Sequence, residues 1–596
     1  MKRNVAQREF KKLQGQFKKV EEIVYNSGMK ALIEHDISVR KKLQVILELE
    51  EFSFKGYEDL YDNYLGLLIY ISNKILEDFN KKNESSFKFN DVVRENYKNL
   101  INSGIRTILV KEYIPKVIAK EFDDAFPDNP KDEYHLARRM KRKFFIHLGD
   151  TNTGKTYNAM QRLKEAKRGI YLSPLRILAL EIYERLNSEE VICSLSTGEE
   201  EDIKENATHV SCTIEKANIK KQYDIAVIDE IQMIDDLQRG DAWTRAVLGL
   251  PASEIHICGA LNSKHLLKKI LDDCGEEYEI KEYVRNVPLE IETKPFNIND
   301  ATEGDAIVLF SKKRVLETAQ IYSKMGIKAS IIYGDLPPEV RKKQYEQFIN
   351  KESKIIITTD AIGMGVNLPI RRVIFLNTKK YDGDEFRELK SQEVKQIGGR
   401  AGRKGIYETG YIATIQGWSE FIREKIEQVD DIIKSAVLGP SEAILTIEGL
   451  KLREKLALWK EKDTKQDYYR KMDITEYLLI LDRVKKYKLS DKDEWKLLKV
   501  AFDVTQDDLM NTFLNFVDEV FILKYEELLK PQCLSENLTE LELYYQKVNM
   551  YYSFSKNFNL KLDMNWVEDE RLRVSEEINK ILLGLWKFCI YGIIKR

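Results

Sequence analysis

GDTNTGKT, residues 149–156, is the most informative segment of the chain. The apolar run KFFIHL (143–148) precedes it, and YNAMQRLKEA (157–166), with helical spacing, follows. Strand, Gly-rich loop and helix in that order form the setting in which GxxxxGK[ST] cradles phosphate groups. Gly149 and Gly154 let backbone N–H groups wrap the phosphates, Asp150, Thr151, Asn152 and Thr153 complete the loop, and the helix N-terminus adds positive potential. Lys155 is expected to reach the β- and γ-phosphates and the Thr156 hydroxyl to bind Mg²⁺.

Outward from this loop, short apolar runs alternate with amphipathic segments: GIYLSP, YDIAVIDEI and EIHICGA up to Val287-Pro288, then DAIVLFS, ASIIYG, KIIITTD, RRVIFL and TGYIATI up to about residue 418. That alternation predicts two parallel α/β units, residues 141–287 and 288–418. Residues 1–140 and 419–596 are rich in Lys, Glu, Leu and Ile at helical spacing and are read as flanking helical domains.

YDIAVIDEIQ (223–232) delivers two carboxylates at the end of an apolar strand. Asp229 is expected to hold Mg²⁺ through water, and Glu230 to orient and deprotonate the attacking water. In QIGGRAGRKG (396–405), Arg400 and Arg403 lie one helical turn apart, so both can face a γ-phosphate, with Gln396 available to position water or phosphate. One unit would then carry the phosphate loop and the other the arginines.

The 96 basic and 98 acidic side chains leave a net charge of -2, which neither supports nor excludes a nucleic-acid partner, since a motor needs only a local basic channel. Six scattered cysteines without CxxC spacing read as reduced thiols. The charged start, with Glu9, Glu21 and Glu22, argues against a secretory or transit signal and points to a bacterial cytoplasm. The apolar stretch 581–594 contains Lys587, is too short to span a membrane, and reads as a docked helix.

The order GDTNTGKT, SPLRILALE, STGEE, CTIE, DEIQ, CGA, LFSKK, TTDAIGMGVNLP, QIGGRAGRKG resembles superfamily 2 helicases, and YLSPLRILALEIYERL, VIDEIQMIDDLQRGDAWTRAVLGL and DAIGMGVNLPIRRVIF resemble the RNA helicase of the mitochondrial degradosome and its bacterial relatives. The resemblance covers about residues 141–418 and continues weakly into the helical tail. It implies two tandem RecA-like lobes, ATP-driven 3′-to-5′ movement on single strands, duplex unwinding, and an exoribonuclease partner such as polynucleotide phosphorylase. It also implies backbone contacts to nucleic acid from Ser173, Pro174, Arg176, Thr197, Gly198 and Thr213 in the first lobe and Ser311, Gly334 and Thr358 in the second, with Asp360 and Gly365 coupling the nucleotide cleft to the strand. Two departures stand out. No DEAD-box-type glutamine motif precedes Gly149, and Cys258-Gly259-Ala260 replaces the usual Ser-Ala-Thr.

RNA enters this reading through the resemblance alone; a DNA translocase with the same engine, or an ATP-switched scaffold that recruits a nuclease, are the alternatives. Asp382-Gly383 is a two-residue hairpin signal. The flanking Tyr381 and Phe386 either press on a terminal base pair or pack on the lobe. His147 and His256 are read as core or strand-end residues, and the Lys-rich tail as a solvated face.

Overall fold

The computed structural model describes residues 3–83, 86–94, 97–112, 122–123, 125–285, 287–364, 367–382 and 385–587. The chain packs into two units, residues 1–129 with 440–465, and residues 130–439 with 466–596. In the smaller unit, helices Arg3–Tyr25, Met29–Glu48 and Tyr57–Asn83 bury a core that includes Val39, Leu43, Tyr64, Leu68 and Ile71. The Tyr64 hydroxyl, carried into that core, donates to Leu13 O at 3.0 Å. Helix Leu452–Glu461, distant in sequence, packs on helix Ile105–Glu112.

Among the described residues, the larger unit holds two large sheets and two two-stranded ones. The first contains β1 (Lys143–Gly149), β2 (Gly169–Ser173), β3 (Cys193–Ser196), β4 (Glu201–Asp202), β5 (His209–Thr213), β6 (Tyr223–Ile228), β7 (Ala252–Gly259) and β8 (Glu277–Tyr283), in the order β4-β3-β5-β2-β6-β7-β1-β8. All pairings are parallel except β3 with β4. The second contains β9 (Leu289–Ile291), β10 (Asp305–Val308), β11 (Ala329–Ile332), β12 (Ile355–Thr358), β13 (Arg372–Phe375) and β16 (Gly410–Thr414), all parallel, in the order β11-β12-β10-β13-β16-β9. DAIV, IIIT and RVIF are buried at every position, as strands covered on both faces must be. Two strands, β14 (Lys379–Tyr381) and β15 (Phe386–Glu388), form an antiparallel hairpin, and β17 (Ala436–Leu438) pairs in parallel with β18 (Tyr469–Lys471). Helices Leu538–Phe558 and Met564–Lys587 pack on each other, and the latter also packs on helices Lys312–Lys324 and Pro338–Ile349 of the second lobe. Residues 588–594 of the apolar tail lie outside the described residues. No described helix is long and apolar enough to cross a membrane.

Two polar networks pin these sheets. Arg372, at the start of β13, donates to Asp305 through Nε at 3.0 Å and Nη2 at 2.6 Å, and its Nη1 meets Glu292 at 3.0 Å. Asp305 is fully buried. Removing the arginine strands that carboxylate, so Arg372→Leu should cost about 3–5 kcal/mol, read as a lowered midpoint in urea unfolding. In the first sheet, His147 Nδ1 lies 2.7 Å from the Tyr283 hydroxyl, His147 Nε2 lies 2.9 Å from His256 Nδ1, and His256 Nε2 lies 2.7 Å from Glu254 Oε1. Burial, helped by the charge on His256, pushes His147 down to about 4. The unfolded chain therefore binds a proton below about pH 6.5 that the folded chain refuses until about pH 4, and stability falls as pH drops through that window. Thermal melts between pH 7.5 and pH 4.5 should show this decline, and His147→Asn should make it shallower.

Candidate nucleotide and nucleic-acid site

The phosphate loop is shaped by its glycines. A Cβ on Gly149 would sit 2.4 Å from Tyr283 O, and Gly154, at φ 82°, starts the helix Lys155–Lys164 from the left-handed region. Lys155 Nζ donates to Asp150 O at 3.0 Å. Thr156 Oγ1 donates to Asp229 Oδ1 at 3.3 Å, while Asp229 Oδ2 accepts the Tyr171 hydroxyl at 2.8 Å. Burial, and then the charge of Glu230, push Asp229 up to about 6. A buried carboxylate under that pressure, beside a threonine hydroxyl, suits a hard cation that keeps water and phosphate ligands. Among the described residues no group of three or more His, Cys, Asp or Glu side chains could hold a metal, and a hydrated cation shared with phosphate requires none.

Glu230 sits in the left-handed region at φ 52°, an arrangement costly for a non-glycine residue and typical of functional turns. Gln232 Nε2 donates to its carboxylate, and Gln232 Oε1 accepts Ala260 N–H at 3.0 Å. Cys258-Gly259-Ala260 is thereby tied directly to the carboxylate turn. A Cβ on Gly259 would meet Ile231 at 2.4 Å and Gln232 Oε1 at 2.7 Å, so this close approach accounts for glycine in the middle of the segment. Trp243 Nε1 donates to Asp229 O at 2.9 Å from the helix Gly240–Gly249.

Gln396, Arg400 and Arg403 face these groups from the second lobe. Lys155, Asp229, Glu230, Gln396, Arg400 and Arg403, together with Asp150, Thr151, Asn152 and Thr153, line one cleft of about 1060 Å³. The two arginines do not share a helical turn, however. The helix Ser391–Gly398 ends before them, and Gly402, at φ 76°, stands in the left-handed region, through which a right-handed helix does not continue. They enter from the turn that follows: Arg400 Nε donates to Gly363 O at 3.1 Å, and Arg403 Nη1 to Asn367 O at 2.9 Å. Arg400 is lowered by burial, with Glu230 the strongest charge opposing that.

The residues expected to touch nucleic acid fall on the other half of the same edge. Ser173, Thr197, Gly198 and Thr213 lie at or just past the carboxyl ends of β2, β3 and β5, and Pro174 follows Ser173. Ser311, Gly334 and Thr358 lie likewise at β10, β11 and β12. In the first sheet order the ends of β3, β5 and β2 are neighbours, and the nucleotide residues occupy β6, β7, β1 and β8. Arg176 is different. Its five N–H donors are all taken: Nη1 by Glu199 at 2.8 Å and the Tyr545 hydroxyl at 3.2 Å, Nη2 by Glu200 at 2.8 Å and Glu339 at 2.9 Å, and Nε by Glu200 at 3.2 Å. It joins the two lobes to the helix Leu538–Phe558 and has no donor left for a phosphate. Asp360 does not line the cleft; it pairs with Lys380 of the hairpin at 3.0 Å. Gly365 lies outside the described residues.

Tyr381 and Phe386 pair across the hairpin with rings 5.5 Å apart and are 54% and 73% exposed, so they do not pack on the lobe. Asp382 N–H donates to Glu385 O at 3.1 Å and closes the hairpin, and Gly383 lies outside the described residues. Lys380 and Arg387 both grip Glu393 in the first turn of the helix Ser391–Gly398. Burial alone would raise Glu393, but hydrogen bonds from Arg387 and Lys380 outweigh it and hold the carboxyl at about 2. The motifs assign no role to Tyr171, Gln232, Trp243 or Arg285. Tyr171, Gln232 and Trp243 stand inside segments that carry the helicase resemblance, whereas nothing local marks Arg285.

Residues 130–283 match the family described as the DEXQ-box helicase domain of Suv3, residues 290–405 the helicase conserved C-terminal domain, and residues 538–584 the ATP-dependent RNA helicase SUV3 C-terminal domain. Similar curated proteins include the mitochondrial DExH-box ATP-dependent RNA helicase DExH18 of Arabidopsis thaliana, 43% identical over 49% of this chain and 38% of its own length. The mitochondrial ATP-dependent RNA helicase SUV3 of Saccharomyces cerevisiae is 41% identical over 53% of this chain and 45% of its own length, and human mitochondrial SUPV3L1 is 40% identical over 52% and 42%. The matches thus span less than half of each of these relatives. The expectation of a bacterial cytoplasm is corrected by them: these relatives are named mitochondrial, and the charged first residues on which that expectation rested carry no location. The chain carries a superfamily 2 helicase core of two RecA-like lobes that resembles the SUV3-type RNA helicases, together with a SUV3-type C-terminal segment.

Proposed function

We propose that this protein hydrolyses ATP in the interlobe cleft to move 3′-to-5′ along single-stranded RNA and unwind duplexes. The observation that carries the reading is the cleft itself, in which phosphate loop, carboxylates and arginines from two sheets face one space. RNA is favoured by the names of the relatives, and their mitochondrial names support a matrix location.

In this reading Lys155 and the loop N–H groups would hold the β- and γ-phosphates, and Thr156 and Asp229 would hold Mg²⁺, which would supply charge neutralisation of the phosphates. Glu230 takes a proton from the attacking water as the bond from the γ-phosphorus to the β–γ bridging oxygen breaks. Arg400 and Arg403 offset the charge spreading over the transferred group, with Gln396 beside the water. Arg400 also holds Gly363, which lies shortly after Thr358 at the end of β12, so a change at the γ-phosphate reaches the strand-facing edge. Ser173, Pro174, Thr197, Gly198, Thr213, Ser311, Gly334 and Thr358 would follow the RNA backbone, and Arg176 serves as an interlobe tie. The strand released would pass to an exoribonuclease.

Glu230→Gln should lower kcat at least about 100-fold with little change in the ATP KM, measured with saturating single-stranded RNA. Stimulation by DNA alone would favour the DNA translocase, and stimulation by neither polymer would sink the reading. Unwinding of duplexes with 3′ or 5′ overhangs tests polarity. Replacing both Tyr381 and Phe386 with Ala should lower unwinding while sparing RNA-stimulated ATPase; equal loss of both activities would rule out the wedge.

A further inference from the structure

Arg285 follows β8 in the link between the two sheets and does not line the nucleotide cleft. Its Nε donates to Val287 O at 2.7 Å, which anchors the guanidinium on the link itself. Nη1 donates to Gly399 O at 2.7 Å and lies 3.4 Å from Thr151 O in the phosphate loop, and Nη2 donates to Ala401 O. The two carbonyls of the second lobe that it meets stand on either side of Arg400. Asn152 Nδ2, also from the phosphate loop, reaches Gly399 O at 3.0 Å and Arg400 O at 3.4 Å.

These carbonyls follow the last turn of the helix Ser391–Gly398, where carbonyl groups lack intrahelical partners and the helix dipole favours a cation. The turn is rich in glycine, with Gly398, Gly399 and Gly402 around Arg400, and such a segment loses much conformational entropy when fixed. A planar fork spreads its donors along its edges and meets two carbonyls and its own link at once, whereas an ammonium carries its three donors on a single nitrogen.

We infer that Arg285 is a positioning residue for the ATPase: it clamps the main chain on both sides of Arg400 to the phosphate loop and so keeps that arginine on the cleft that Glu230 also lines. The inference rests on the cleft being an ATPase site, and it assigns the link between the lobes a part in the chemistry that no motif of the chain announces. Because Arg285 acts through Arg400, its loss should leave the grip on ADP intact and weaken only what depends on the γ-phosphate.

The test uses the full chain with saturating single-stranded RNA. R285K should lower kcat by about 10- to 100-fold while the ATP KM stays within about threefold, the scale expected when a catalytic group is misplaced by about 1 Å. Added to R400A, R285K should cost nothing more. In binding titrations R285K should weaken ADP–beryllium fluoride and leave ADP unchanged. Wild-type turnover in R285K, losses that multiply with R400A, or equal weakening of ADP and ADP–beryllium fluoride would each overturn the inference. R285Q, which keeps a neutral donor, replaces R285K if the lysine variant does not fold. Absence of hydrolysis by the wild-type chain would overturn the proposed function, and the two binding titrations would still decide the role of Arg285.

Discussion

A half-buried arginine that lines one cleft with carboxylates of another sheet is the point around which the site of the larger unit is organised. Burial pushes Arg400 down, and the carboxylates that oppose this, Glu230, Glu181 and Asp229, all come from the first lobe. Asp229 is in turn pushed up by burial and by Glu230. A buried ion needs a countercharge, and here each lobe carries part of what the other requires. Closure of the cleft is therefore an electrostatic condition as well as a packing one. It explains why ties between the lobes gather here: Arg285 and Asn152 reach across to the carbonyls around Arg400 on the nucleotide side.

A second tie lies on the strand side. Arg176 gathers Glu199 and Glu200 from the first lobe, Glu339 from the second and Tyr545 from the helix Leu538–Phe558. The same helix sends Glu542 to Lys312 and to the Tyr333 hydroxyl, beside Ser311 and Gly334. The carboxyl ends of the parallel strands thus carry two rows of function, nucleotide at β6, β7, β1 and β8 and strand at β3, β5 and β2, with one C-terminal helix fastened across the second row. Ligands at the carboxyl ends of such sheets are the rule, because the loops there are free to vary while the sheet stays rigid.

Several features are legible in the order of residues alone. GDTNTGKT and DEIQ are short, and their geometry is set by the backbone of a few residues, so strand, loop and helix can be read directly. The alternation of apolar runs with amphipathic segments announces two parallel sheets. Other expectations fail where distant groups intervene. RxxR suggests a helical turn, but the helix ends at Gly398 and Gly402 is left-handed where it packs beside Gly410, so Arg400 and Arg403 enter the cleft from a turn. Arg176 looks like a phosphate contact by its place in the motif order, yet its partners lie as far away as residue 545.

Local spacing and chemistry were enough to specify the phosphate loop, the carboxylate pair, the two parallel sheets and the resemblance to superfamily 2 helicases, because each depends on residues close together in the chain. Which of those groups share a cleft, what closes it and which side chains are already committed are properties of the folded molecule. Sheet order, the glycine contacts and the partners of Arg176, Gln232 and Arg285 join residues far apart in the chain, and no local pattern encodes such distances.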